Sequence, residues 1–106
     1  LQFSQSHIIF ILFLILYIKL NQMKEYFKQI ENKLKNEIIF ENLEIIDNSK
    51  KHQGHKFFSE NKFHLKLIIK SLELNSLPRL KAQKRIMNIL KDDLKNKIHA
   101  LEINIE

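Results

Sequence analysis

Gly54 and Pro78 are the single glycine and the single proline among 106 residues. Loops that cradle phosphate through backbone amides need several glycines at fixed spacing, so the P-loop and the dinucleotide fingerprint are both excluded. With so few breakers, the boundaries of elements must be read from hydrophobic period and turn-forming polar residues. Cysteine is absent. The chain therefore forms no disulfide and supplies no thiolate ligand or thiol nucleophile, and cysteines say nothing here about its redox compartment. Hydrophobic residues make up 44% and charged residues 28%, a balance that suits one soluble globular domain. The formal net charge of +6 attracts acidic partners of any kind, and its plainest reading is a solvated basic surface.

The apolar run Ile8 to Ile18 has no counterpart elsewhere in the chain. As a helix, Ile8 to Leu20 spans only about 20 Å, against about 30 Å of bilayer hydrocarbon. No Lys or Arg precedes the run, and no small-residue cleavage site follows it, so it is a poor signal peptide. Three readings stay open: an upstream extension with Met23 as the true start, a membrane or interfacial anchor, or a segment packed on the domain. Residues 1–22 are therefore treated as a hydrophobic extension, and 23–106 as the domain.

From Met23 the periods change in order. Met23, Phe27, Ile30 and Leu34, widened by Tyr26 and Ile38, predict an amphipathic helix over about 23–37. Leu43 to Asp47 reads as a short strand, and Asn48 to Lys62 as a long loop of the kind that tends to carry function. Leu65, Leu67 and Ile69 alternate with His64, Lys66 and Lys70, which predicts a half-buried strand ending near Ser71. Leu72 to Pro78 is a connection. Leu80, Met87, Leu90 and Leu94, widened by Ile86, then mark a second helix over about 79–95, with Asp92 and Asp93 on its solvated side. In the last strand His99, Leu101, Ile103 and Ile105 form the apolar side against Ile98, Ala100, Glu102 and Asn104. The expected fold is α+β, a two-layer αββαβ domain with helices on one face of a small three-stranded mixed sheet.

Four stretches in this order resemble the BolA-like family. Leu43-Glu44-Ile45-Ile46-Asp47-Asn48-Ser49 is similar to its first strand and Asp-x-Ser turn. His52-Gln53-Gly54-His55 resembles its histidine-bearing loop. His64-Leu65 looks like the start of its second strand, and Ile98-His99-Ala100-Leu101 its third-strand signature. The resemblance covers about residues 24–105 and implies a fold similar to the class II KH domain. Two family features are missing. Leu74-Asn75-Ser76 stands where a Phe-x-Gly turn is usual, and Ala82-Gln83-Lys84-Arg85 lacks the histidine of an Arg-His-Arg element. The Gly-x-x-Gly clamp by which true KH domains hold RNA is also impossible with one glycine.

The resemblance implies a non-enzymatic, cytoplasmic adaptor. Such proteins pair with a monothiol glutaredoxin and share a [2Fe–2S] cluster, for iron–sulfur cluster trafficking or iron regulation. It further implies His99 as one ligand and His52, with His55 as backup, as the loop ligand; glutathione and the glutaredoxin cysteine would complete the set. The free domain would hold no cofactor. Imidazole is a reasonable ligand for cluster iron, as Rieske centres demonstrate. Read from the residues themselves, His99 is a hydrogen-bonded core histidine, and the two roles are compatible. His64 is read as structural or as support for a ligand. The alternative function is a DNA-binding transcriptional regulator using Arg79, Lys81, Lys84 and Arg85, a cluster that would meet phosphates with steep salt dependence. DNA and a second copy of the chain stay open as partners, and a membrane only if residues 8–20 are a native anchor. The sequence contains no recognisable nucleophile–base or paired-carboxylate motif.

Overall fold

A computed structural model describes residues 5–49 and 62–106. Its element order is α1 (Gln5–Glu37), β1 (Asn42–Asp47), β2 (Phe63–Lys70), α2 (Leu72–Asn75), α3 (Arg79–Ile89), α4 (Lys91–Asn96) and β3 (Ile98–Ile105). The chain divides into two compact units, Leu1–Ile30 and Glu31–Glu106.

In the first unit, α1 starts at Gln5 rather than near Met23. Neither glycine nor proline interrupts it, so nothing in the backbone chemistry stops helix propagation through the apolar run. Every residue from Ile8 to Ile18 is exposed, whereas Tyr26 and Ile30 are buried.

The second unit contains the sheet. Its strand order is β1-β2-β3. β1 and β2 are antiparallel, with Leu43 opposite Ile69, Ile45 opposite Leu67 and Asp47 opposite Leu65. β2 and β3 are parallel, with Leu65 opposite Leu101, Leu67 opposite Ile103 and Ile69 opposite Ile105. A parallel pair needs a long crossover, and α2, α3 and α4 supply it. One face of the sheet carries Leu65, Leu67, Ile69 and Ile105, all buried; Leu34, Ile38, Leu74, Ala82, Ile86 and Leu90 are the buried apolar residues contributed by helices and connections. Each fully buried aliphatic side chain of this kind is worth about 1.5–3 kcal/mol relative to exposure. The other face carries Lys66, Glu102 and Asn104, and Lys66 pairs with Glu102 at 3.9 Å. The α+β architecture with a small mixed sheet agrees with the sequence expectation.

Four details differ from that expectation. The connection Leu72 to Pro78 contains α2, because Ser71 caps it: the Leu74 N–H donates to Ser71 Oγ at 3.1 Å. Ser76 ends α2 with φ −73°, a conformation open to any residue, so the expected glycine is not needed there. The second helix is two, α3 and α4, joined at Leu90 with φ −96° and ψ 19°. Its buried row is Ala82, Ile86 and Leu90, while Leu80 and Met87 are exposed at 64% and 47%. Two rows at helical spacing compete on this segment, and the row built on the small Ala82 is the one that faces the core. Finally, Asp93 is buried instead of solvated, and the Lys33 ammonium donates to its Oδ2 at 2.7 Å.

Candidate functional site

The register of β2 and β3 slips at one end. Phe63 pairs with Ile98, yet His64 pairs with Ala100. His99 is the extra residue, so the strand carries a β-bulge. The bulge explains an apolar pattern that plain alternation cannot satisfy. Ile98 and Leu101 are three apart and belong to opposite faces of a regular strand. With one residue inserted, Ile98 joins Phe63 on the core side, and Ile98 is 1% exposed.

The same insertion corrects the expected place of His99. It was read as apolar-facing with Leu101 and Ile103, and it is exposed. His64 lies across the strand from Leu65, on the expected side with Lys66 and Lys70, and it is buried at 6% exposure. The two imidazoles meet, with ring centroids 5.0 Å apart and planes tilted by 43°. A buried ring thus lies against an exposed one on an edge strand of the sheet.

The backbone around His64 is pinned from β1. Asn48 N–H donates to the His64 carbonyl at 2.7 Å, and His64 N–H donates to Ser49 Oγ at 3.1 Å. Ser49 is itself held by Asp47: its N–H donates to Oδ1 at 2.9 Å, and its hydroxyl donates to the same oxygen. This is the Asx-turn chemistry that Asp and Ser provide at such spacing. Phe63 N–H donates to the Lys97 carbonyl at 2.8 Å, which ties the start of β2 to the residue preceding β3. Ser49 and Lys62 therefore both lie at the end of the sheet that carries His64 and His99. His52 and His55 lie outside the described residues. Among the described residues, no cluster of three or more His, Asp or Glu is arranged to hold a metal ion. The arrangement offers one exposed imidazole with a supporting ring, and a complete metal site would need donors from elsewhere.

The four basic residues singled out from the sequence divide into two pairs. Arg79 donates from Nη1 to the Ile105 carbonyl at 3.3 Å. Arg85 donates from Nη2 to the Glu37 carbonyl at 2.6 Å and pairs through Nη1 with Glu73 Oε1 at 2.9 Å. Lys81 and Lys84 are exposed. Glu73 was not foreseen. Its Oε2 accepts the Ile39 N–H at 2.6 Å, and this bond, with the Arg85 guanidinium, holds its carboxyl below the ordinary range. No local sequence signal marks that triad, because its members come from three separate segments; Ser71 and Asp47-Asn48-Ser49, by contrast, carry recognisable capping and turn chemistry.

A family model described as BolA-like protein matches residues 34–106. Among solved structures, the chain is similar to the BolA domain of SufE1 from Arabidopsis thaliana, with 32% identity and a TM-score of 0.63 over 74% of this chain and 87% of that one. It is similar to BolA1 from Arabidopsis thaliana at 24% identity and a TM-score of 0.62, again covering 74% and 87%. BolA1 from Mus musculus matches at 24% identity and a TM-score of 0.57 over 71% of this chain and 58% of that chain. The last two likenesses speak to the fold. No curated protein sequence matches the chain.

Proposed function

The chain belongs to the BolA-like protein family, and from that premise we propose that it is a non-enzymatic adaptor that binds a monothiol glutaredoxin and shares a [2Fe–2S] cluster with it. The observation that carries this reading is the bulge at His99, which lifts an imidazole out of the sheet pattern and backs it with the His64 ring 5.0 Å away. Ligand imidazoles work best when a neighbouring group fixes their orientation, and His64 is placed for that task.

The donor chemistry fits the cargo. The chain has no cysteine, and imidazole is a ligand that replaces thiolate on cluster iron. The cluster itself brings iron, sulfide and a one-electron redox couple. His99 would supply one ligand and His52, or failing that His55, a second. The glutaredoxin cysteine and glutathione would complete the set. The nucleic-acid alternative is less well supported, because Arg79 and Arg85 are engaged within the domain.

Anaerobic reconstitution with a monothiol glutaredoxin tests the reading, followed by visible absorption and circular dichroism. The wild-type pair is expected to give a cluster spectrum distinct from that of the glutaredoxin by itself. Replacing His99→Ala and His52→Ala together should abolish it, and an unchanged spectrum would show the ligand assignment to be wrong.

A further inference from the structure

Ile8 to Leu20 is not accounted for by the adaptor reading. Every residue from Ile8 to Ile18, together with Leu20, is between 44% and 68% exposed. α1 is long and apolar enough to cross a membrane, and none of its most apolar window is buried within the protein. A helix that is hydrophobic all round belongs in a protein core or in lipid, and the core is excluded by the exposure. An in-plane amphipathic helix is excluded as well, because such a helix needs a polar face. From Ile8 to Leu16 the run has apolar residues at every angle of the helix.

The ends of the run differ in charge. Residues 1–7 carry no Lys or Arg, whereas Lys19, Lys24 and Lys28 follow the run on the same helix, with Lys33 and Lys35 beyond them. Basic residues beside a membrane segment favour the cytoplasmic side and the anionic headgroups found there. The helix also continues past the run in both directions. Gln5 to Gln22 measures about 27 Å at about 1.5 Å per residue, close to the hydrocarbon thickness once the bilayer thins slightly and Lys19 extends its ammonium to the headgroups.

We propose that α1 from Ile8 to Leu20 is a membrane anchor, inserted along its axis into an anionic bilayer, which keeps the BolA-like domain on the lysine-bearing side. This is independent of the cluster reading, and its test uses no glutaredoxin.

The full chain contains no tryptophan, so Phe13→Trp introduces a single reporter at the middle of the run. This variant is mixed with vesicles of phosphatidylcholine containing a quarter phosphatidylglycerol and floated on a density gradient after high-salt and carbonate washes. The expected result is flotation, with Trp fluorescence quenched more by lipids brominated at the acyl-chain ends than by lipids brominated near the headgroups. In the same chain, Leu12→Asp with Leu16→Asp should abolish flotation, since each central Asp costs about a hundredfold in insertion. Three results overturn the proposal. One is a chain that stays in solution, by itself or as an oligomer. Another is stronger quenching near the headgroups. The third is a native protein in cells whose first peptide begins at Met23 or later.

Discussion

The two ends of β2 are built on opposite plans. At the Ser71 end, polar side chains join separate segments of the fold. Ser71, fully buried, donates from its hydroxyl to the Ile39 carbonyl at 2.6 Å and accepts the Leu74 N–H. Glu73 bridges Ile39 and Arg85, and Arg85 reaches the Glu37 carbonyl at the end of α1. Asn75 Nδ2 donates to the Glu106 carbonyl at 2.6 Å. At the His64 end, the backbone is pinned by Asp47, Asn48 and Ser49, but His99 is left exposed on an edge strand. One end uses its hydrogen bonds to join segments of the fold; the other pins the backbone and leaves an imidazole exposed. On the proposed function, stability and chemistry fall at different ends of one strand.

Substitutions should separate the two plans. Ser71→Ala should cost most, about 1–2 kcal/mol, because it removes a cap and leaves the buried Leu74 amide and the part-buried Ile39 carbonyl without this partner; denaturant unfolding measures this, and a loss below about 0.5 kcal/mol would break the comparison. Lys33→Met should cost about 1–2 kcal/mol by the same measurement. It strips a buried carboxylate, Asp93, of its ion-pair partner, and the half-exposed ammonium keeps the cost below that of a fully buried pair.

Glu73→Gln should have a smaller effect, and one that depends on pH. The folded carboxyl titrates below its unfolded value. Its contribution is therefore fully present above the unfolded pKa and disappears as pH falls through the folded one. The variant should lose stability at neutral pH and show a flatter acid limb, read as denaturation midpoint against pH; an acid limb identical to wild type would remove Glu73 from the stabilising end. His99→Ala should change unfolding free energy least, within about 0.5 kcal/mol, while eliminating the mixed cluster spectrum with glutaredoxin. A large stability loss at His99 would mean that the chemical end is structural after all.

The sequence made much of this fold legible. Tyr26, Ile30, Leu34 and Ile38 repeat at strict helical spacing and are all buried, and Leu65, Leu67 and Ile69 alternate as a half-buried strand does. The failures have specific causes. α3 carries two rows at helical spacing, and the expected stripe shares Ile86 and Leu90 with the buried row but starts it at Leu80 rather than Ala82, although a small residue is what lets a helix approach a sheet closely. Asp93 looked solvated because its partner Lys33 is distant in sequence. At the candidate site, the residue types and the end of the sheet were readable, but their orientation was not. A period of two has no place for an inserted residue, so His99 was assigned to the wrong side. The spacing of Ile98 and Leu101, both apolar and three apart, was the available signal.

An inserted residue has no opposite number in the ladder, and this gives position 99 a freedom that its neighbours lack. Ile98 is fixed by the core and the half-buried Leu101 by its place opposite Leu65, so substitution at either disturbs the fold. At position 99 the side chain can be exchanged while the strands on either side keep their register. On the proposed function, the position is a socket whose ligand can be retuned. His99→Cys should leave folding nearly intact and lower the potential of a bound cluster, because thiolate stabilises oxidised iron more than imidazole does.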